Sequence, residues 1–123
     1  MDPQLHGHAP FTVEIRAKDD IPIVAVTGEI DLSNEDVIQA EISDQLDRRP
    51  PLLVIDLRKV TFMGSAGIRL LIGNHMTATS SGIRLPVVAA HHAVLRPLEV
   101  TEVDQQLELI TDQDDPLSQL ACN

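Results

Sequence analysis

The 123-residue sequence contains no tryptophan or tyrosine and only two phenylalanines, Phe11 and Phe62. With so few aromatic side chains, the chain offers no platform for stacking the bases of single-stranded nucleic acid. Basic residues are also scarce, because nine Lys and Arg stand against nineteen Asp and Glu, for a formal net charge of −10. Binding to a phosphate backbone needs a basic face, so we expect no nucleic-acid partner. The acidic balance suits either a basic protein partner or simple solubility.

Cysteine and long apolar runs are equally scarce. The single cysteine, Cys122, has no partner for an internal disulfide, which is typical of intracellular proteins. No apolar run reaches the roughly 18 residues of a membrane span. The N-terminus also lacks the apolar core of a signal peptide. The sequence therefore predicts a cytoplasmic protein without a membrane span.

The hydrophobic pattern predicts one domain at this chain length. We expect a flexible tail at residues 1–10, the domain at 11–120 and a short tail at 121–123. Alternation over residues 11–17 and an apolar run over 21–27 predict a hairpin whose first strand buries one face. Ser33 followed by Asp36 resembles a capping box, which predicts a helix from Asn34 to the prolines at 50 and 51.

The stretch of residues 52–82 organises the rest of the chain. Its apolar run at 52–57 predicts a central strand with both faces covered. A loop of small residues, 64–67, then leads into a helix that should end near Ser80, with Gly82 as its C-terminal cap. The helix spacing predicts a core-facing stripe made of Ile68, Leu71, Ile72, His75 and Met76.

The last third of the chain predicts shorter elements. We expect a strand at residues 85–90, a short helix over 94–98 that must accommodate Pro97, and a short strand over 107–110. Asp114, Asp115 and Pro116 should open a final short helix whose Leu117 and Leu120 return to the core. Strands that alternate with helices predict an α/β domain with a mixed sheet of four to five strands and about four helices.

Three polar residues near strand ends are candidates for function. Asp31 and Asp56 follow apolar strand residues and should emerge near the Ser65 loop, at the end of the sheet where α/β proteins bind ligands. Asp56 could instead be a buried carboxylate that accepts bonds from loop N–H groups, which we favour. Ser65 is expected to cap the helix and has two interpretations: it is only an N-cap, or it also lies in an exposed loop where it could be phosphorylated or contact a partner.

No catalytic constellation is present in the sequence. A Gly-rich phosphate loop with Lys and paired cysteine ligands are both absent. No local pattern places a histidine beside Ser65, and the adjacent His91 and His92 make a poor metal pair. Nucleotide binding at the Ser65 loop is only weakly supported, since the loop lacks a Lys and a Gly-rich cradle. We therefore expect no enzyme activity, no cofactor and no metal.

Three segments resemble the STAS domain of bacterial anti-sigma factor antagonists. They are GEIDLSN at residues 28–34, LLVIDLRKVTFMGSAGIRLLIG at 52–73 and AVLRPLEVTEVD at 93–104. The middle segment is the most specific, and the resemblance extends over residues 11–120. It implies a single STAS-like domain that binds an anti-sigma factor, which in this family is also a histidine-kinase-like ATPase. The antagonist then frees the sigma factor and so regulates transcription, and phosphorylation of its loop breaks the complex.

The resemblance implies a partner-binding surface, and within that surface this sequence differs from the usual family loop. The surface would comprise Asp31, Ser33, Gly64, Ser65, Ala66 and Arg69. The family loop usually reads Asp-Ser-Ser/Thr-Gly, and its second hydroxyl residue accepts the phosphate. Here Gly64 stands at the Asp and Ala66 at the acceptor, and Glu102 replaces a usual Gly. Either Ser65 has become the acceptor or the protein is not switched this way, and we favour the second.

An alternative lies within the same domain family. Small STAS subunits also occur in ABC-type lipid-transport complexes, and their loop often has a hydroxyl residue followed by Ala-Gly, as at residues 65–67. The partner distinguishes the two, since one class binds a histidine-kinase-like ATPase and the other a transporter ATPase. We expect a monomer in the free state, with the exposed edge of the first strand as the main risk of association.

Overall fold

A computed structural model describes residues 11–111, which form a five-stranded sheet with helices between its strands. The strands are β1 (Thr12–Lys18), β2 (Ile21–Ile30), β3 (Val54–Met63), β4 (Val87–Val88) and β5 (Leu109–Ile110), and the helices are α1 (Glu35–Asp47), α2 (Ser65–Ser80) and α3 (His92–Val100), with a 3-10 turn at Val103–Gln105. The strand order is β1-β2-β3-β4-β5. β1 pairs antiparallel with β2, and every other pair is parallel. The predicted mixed sheet is confirmed, with three helices and one 3-10 turn within residues 11–111.

The three helices share one face of the sheet. Each helix connects two neighbouring parallel strands. Because such crossover connections share one handedness, all three helices lie on the same side of the sheet. One continuous core results, with residues such as Ile38 of α1, Leu71 of α2 and Leu98 of α3 packed on Val24 and Ile55 of the sheet. The opposite side of the sheet, the second face, has a separate small cluster of buried residues.

Several predicted strand boundaries are wrong. β3 was expected to end at Leu57 but continues to Met63, and β2 continues past Thr27 to Ile30. Both strands are longer than predicted because they remain paired with each other past two register shifts. One of these shifts lies beside Gly28, whose φ is +105°. β4 is only two residues long, since Pro86 has no N–H to donate to a ladder.

The buried face predicted for β1 is only partly formed. Val13 packs against the main core, but Ile15 on the same side is 42% exposed. β1 is an edge strand that lies beyond most of the helix layer. Its alternating apolar side chains are therefore not all covered by helices. The edge therefore presents an apolar side chain to solvent.

The core stripe predicted for α2 is confirmed at Leu71, while Ile68 and Ile72 are only partly buried against the core and Met76 is not part of it. The buried residues are Ala66, Gly67, Leu70, Leu71, Asn74 and Ala78, whereas Met76 is 65% exposed. The predicted end of α2 is confirmed: Gly82 has a φ of +74°, and the Ile83 N–H donates to the Ala78 carbonyl at 2.8 Å. The predicted short helix is present as α3 and continues through Pro97.

Some predicted elements lie outside the described residues. These are the two tails at 1–10 and 121–123, and the final helix expected from Pro116 with Leu117 and Leu120. Cys122 lies outside them as well.

Candidate partner-binding site

The carboxyl ends of β2 and β3 bring two loops together at one edge of the sheet. Ile30 pairs with Met63 in the parallel register, and the Gly64 N–H donates to the Ile30 carbonyl at 3.0 Å. Asp31 and Ser65 follow directly, so the prediction that they lie at the same end is confirmed. Residues 31–34 and 64–65 are called the loop pair below.

The first loop of the pair is fixed by its own side chains. An Asp31 carboxylate oxygen accepts bonds from the Ser33 N–H at 2.9 Å and from the Ser33 hydroxyl at 2.5 Å. The Asn34 side chain accepts the Asp31 N–H at 3.0 Å and donates to the Glu29 carbonyl at 2.6 Å. These local bonds hold the loop in one conformation before any partner arrives.

Both predicted N-caps are wrong. α1 begins at Glu35 with Asn34 as its N-cap residue, and no side chain caps it, because the Ser33 hydroxyl is bound to Asp31. α2 begins at Ser65 itself, with Gly64 in extended backbone as N-cap and again no side-chain cap. Ser65 is therefore exposed, and its hydroxyl does not cap the helix.

Burial changes abruptly along the second loop. Ser65 is exposed, whereas Ala66 is only 2% exposed and Gly67 is buried. A β-carbon on Gly67 would lie 2.2 Å from the Met63 Cγ and 3.2 Å from the Ile30 Cγ2, so only glycine allows α2 to approach the sheet here. Gly64 is different, since a β-carbon there would make ordinary contact with the Phe62 ring at 3.7 Å.

Exposed apolar side chains surround the loop pair. Leu32 is 72% exposed and Phe62 is 48% exposed, and Val37 adds a third at 51% in the first turns of α1. A shallow depression of about 280 Å³ lies between the loops, lined by Asp31, Leu32, Ser33, Gly64, Ser65 and Ala66. Large exposed apolar residues beside functional loops are typical of protein contact surfaces. Sequence reasoning missed Leu32 and Phe62, although an apolar residue inside a polar turn is a usable signal.

The predicted site residues take different positions in this surface. The structure brings together Asp31, Ser33, Gly64 and Ser65. Ala66 contributes to the wall of the depression with a mostly buried side chain. Arg69 is exposed one turn further along α2. The acidic Glu35 and Asp36 in the first turn of α1 add negative charge beside the loops.

Asp56 does not belong to this site, so the prediction that it emerges near Ser65 is wrong. It lies within β3, because that strand continues well beyond it. The predicted burial is confirmed at 6% exposure, but the partners are not loop N–H groups. The Arg58 guanidinium donates to both carboxylate oxygens at 3.0 and 2.9 Å, the Arg58 N–H donates at 3.1 Å, and Arg16 donates at 3.3 Å.

The charge of Asp56 is set by opposing effects. Burial alone would raise the pKa of its carboxyl, but the hydrogen bonds from Arg58 and the positive charges of Arg58 and Arg16 outweigh burial and lower it. Asp56 therefore stays ionised and is a structural anion that connects β3 to Arg16 of β1.

No group of three or more His, Cys, Asp or Glu within residues 11–111 could hold a metal ion. His91 is the N-cap of α3, where its Nδ1 accepts the Ala93 N–H at 3.5 Å. None of the described helices is both long and apolar enough to cross a membrane.

Comparison with known proteins identifies relatives of the whole domain. The STAS domain family model matches residues 12–115. The anti-sigma-F factor antagonist RsfB of Mycobacterium tuberculosis is 28% identical over 108 residues, covering 88% of each chain. The crystal structure of an anti-sigma factor antagonist from Mycobacterium paratuberculosis superposes with a TM-score of 0.81 at 31% identity, over 89% of this chain and 93% of the other. Unphosphorylated SpoIIAA, also an anti-sigma factor antagonist, shares the fold with a TM-score of 0.72 at 15% identity, over 93% and 98%.

Proposed function

The chain belongs to the STAS domain family, and on this premise we propose that it is an anti-sigma factor antagonist. It binds an anti-sigma factor, frees the sigma factor and thereby regulates transcription. Relatives that cover nearly the whole domain are named anti-sigma factor antagonists, which supports this proposal. The protein then acts by binding and not by turnover, in the cytoplasm, where transcription takes place.

One observation carries the proposed binding surface: exposed apolar side chains stand beside a loop pair that is already fixed. Leu32 projects from a turn held by the Asp31 and Asn34 bonds, and Phe62 stands beside Gly64. A fixed surface loses little conformational entropy when a partner binds. Apolar anchors inside a polar rim are where binding energy concentrates. We assign partner contact to Asp31, Ser33, Gly64, Ser65 and Arg69, with Leu32 and Phe62 as anchors.

The acidic surroundings of this surface favour a partner with a basic face. The whole chain has a net charge of −10, and α1 begins with Glu35 and Asp36 beside the loop pair. Opposite charge speeds the encounter of two proteins. The partner class that we propose is the histidine-kinase-like ATPase, and we propose that the free antagonist is a monomer.

The regulation of this surface differs from the family pattern. At the position of the usual phosphate acceptor the chain has Ala66, which has no hydroxyl and is 2% exposed. Ser65 is exposed but occupies the preceding position. We therefore propose an antagonist that phosphorylation does not switch off. Its activity would then follow its concentration or a different signal.

The test is capture of the partner from lysate of the source organism on the immobilised chain, first without and then with added ATP. We expect a histidine-kinase-like ATPase to be retained in both conditions. The matched control is the Leu32→Asp variant, which should retain far less of it. Retention of a transporter ATPase would overturn the proposal in favour of a lipid-transport subunit, and release on addition of ATP would overturn the absence of a phosphorylation switch.

A further inference from the structure

Charge is divided unevenly between the two helices behind the loop pair. α2 contains no acidic residue, and Arg69 is its only Lys or Arg. This lack of acid extends beyond the helix, since residues 57–98 include no Asp or Glu although the chain has nineteen acidic residues in all. α1 is the opposite, because it has no Lys or Arg. Its carboxylates are Glu35, Asp36, Glu41, Asp44 and Asp47. The loop pair therefore lies on a boundary between an acidic and a non-acidic part of the surface.

The contact between the two helices shows which of these charges lie at the same level. α1 and α2 both begin at the loop pair, and the Gln39 and Asn74 side chains bond to each other across them. Glu35 precedes Gln39 by four residues and Arg69 precedes Asn74 by five, which is about one helical turn in each case. The axes of packed helices lie about 8–10 Å apart. Glu35 and Arg69 are therefore opposite charges beside the loop pair, roughly one helix spacing apart.

These charges have no partner within residues 11–111. The ion pairs there join Arg16 and Arg58 to Asp56, Arg48 to Asp44 and Arg84 to Glu108. None of them includes Glu35, Asp36 or Arg69. Arg69 and Asp36 are exposed and Glu35 is half-buried. All three charges are thus open to groups of a second protein.

A uniformly basic partner would match only one side of this boundary. Basic groups are attracted by Glu35 and Asp36 but repelled by Arg69, and like charges that face each other across an interface cost free energy. The chain itself does not offset Arg69, since the positions one turn before and after it are Ser65 and Gly73. The group that best satisfies an exposed guanidinium is a carboxylate, because the two can form a pair of parallel hydrogen bonds.

We propose that the partner carries two opposite charges for this surface: a basic group that lies against Glu35 and Asp36, and a carboxylate that lies against Arg69. The inference rests on the proposed function and refines it, because the face that meets α1 is basic whereas the group that meets α2 is acidic. One orientation of the partner on the loop pair is then favourable and the reverse is unfavourable. Such an arrangement contributes more to specificity and association rate than to affinity.

Arg69→Glu tests the partner carboxylate by the sign of its effect on the association rate constant. The probe is the purified protein that the immobilised chain retains from lysate. A uniformly basic partner would associate faster with the more acidic variant. With a carboxylate at Arg69, we expect the rate constant to fall on the order of tenfold at low salt. The fall should be much smaller at about 1 M salt, where the Debye length is about 3 Å. Arg49→Glu is the control, since Arg49 is exposed beyond the far end of α1 and the charge change is the same; its association should not slow.

A charge swap tests the polarity at constant net charge. Glu35→Lys with Arg69→Glu should associate more slowly than the unsubstituted chain. Arg84→Glu with Glu108→Lys makes the same two changes in an ion pair beside the amino ends of β4 and β5, and should have no effect. Unfolding curves check that each variant folds, and the exposed single variant Arg69→Glu decides if the swap does not.

Unchanged or faster association of Arg69→Glu would overturn the two-charge partner. Slowing of equal size in Arg49→Glu would overturn it as well, because net charge alone would then account for the effect. The identity of the retained protein tests the proposed function separately, since the sign of the Arg69→Glu effect is measured on whichever protein is retained.

Discussion

Gln39 on α1 and Asn74 on α2 hold each other by two reciprocal hydrogen bonds across the contact between the helices. The Asn74 amide donates to the Gln39 side-chain oxygen at 2.9 Å, and the Gln39 amide donates back at 3.0 Å. Asn74 also donates to the Leu70 carbonyl at 2.7 Å and is only 3% exposed. α2 carries Ser65 and α1 follows the Asp31 turn, so this pair fixes the relative position of the elements behind the loop pair.

Asn74→Ala should destabilise the domain by about 1–3 kcal/mol, because it removes the donor to the partly buried Gln39 side-chain oxygen, although the Gln39 amide keeps its bond to the Ser43 hydroxyl. Gln39→Ala should have an effect of similar sign, and the double variant should cost less than the sum of the two. Urea unfolding of all four proteins measures this. Additive losses would show that the two side chains act separately.

Gly67→Ala should destabilise the domain, while Gly73→Ala on the same helix should stabilise it. A β-carbon at Gly67 overlaps Met63, and overpacking costs about 1–3 kcal/mol. A β-carbon at Gly73 meets nothing within 4 Å, so alanine there should contribute about 0.5–1 kcal/mol by its better helix propensity. Thermal and urea unfolding of the two variants measure the contrast. Equal effects would mean that α2 does not approach the sheet this closely.

The stabilisation from Asp56 should depend on pH in one direction. Burial opposes ionisation, but Arg58 and Arg16 outweigh it, so the folded pKa lies below the ordinary value of 3.8. A depressed pKa means that the stabilisation is fully present above the unfolded value and is lost as the pH falls through the folded one. Asp56→Asn should therefore cost about 1–3 kcal/mol at pH 7.

Urea unfolding at several pH values between 7 and 2 measures the difference between Asp56→Asn and the unsubstituted chain. The difference should stay constant down to about pH 5 and shrink below about pH 4. Asp44→Asn is the control, because Asp44 is 58% exposed in a surface pair with Arg48 and should contribute little. A difference that grows toward low pH would contradict the assignment of Asp56 as a structural anion.

The order of elements could be predicted from the sequence because it depends on hydrophobic runs separated by breakers. The strands, the three helices and the end of α2 at Gly82 all follow from such local signals. The boundaries of β2 and β3 could not be predicted in this way. Their extension depends on pairing between distant segments, where Ile30 meets Met63, and no local pattern contains that information.

The errors at the candidate site have a similar cause. Counting apolar residues placed Met76 in the core and left out Asn74, which is buried because Gln39 on another helix satisfies its amide. The Ser33 hydroxyl was expected to cap α1 but is bound to Asp31. The partners of polar side chains depend on geometry in space. The sequence therefore predicted that Asp31 and Ser65 meet at the loop pair, but it did not predict the bonds there and it placed Asp56 there wrongly.

Leu32→Asp should weaken binding of the captured partner while the domain stays folded. Leu32 is 72% exposed, so the substitution removes an apolar anchor without opening the core. Loss of a central anchor costs about 2 kcal/mol or more, which corresponds to roughly a thirtyfold rise in Kd. Val100→Asp is the control, since Val100 is 68% exposed at the end of α3 and the added charge is the same. Titration by calorimetry distinguishes them, and an equal loss in both variants would point to net charge and not to the loop pair.

Ala66→Ser should restore a phosphate acceptor at the position that the family uses, and with it a phosphorylation switch. With ATP and a kinase-type partner, the unsubstituted chain should gain no phosphate by intact mass, whereas the serine variant should gain one and dissociate. The physical reason is that a phosphate dianion within a contact surface must be desolvated and repels acidic groups such as Asp31.

The burial of position 66 and the exposed hydroxyl of Ser65 determine the controls for this variant. The Ala66 side chain is 2% exposed, so the new hydroxyl becomes accessible only when the first turn of α2 opens, and an unfolding curve checks that the variant still folds. Ser65→Ala is the matched control for phosphorylation, because it removes the exposed hydroxyl and should leave the gain of phosphate at zero, as in the unsubstituted chain. If the unsubstituted chain does gain phosphate and Ser65→Ala abolishes it, the switch has moved by one residue along the helix and the protein is regulated after all.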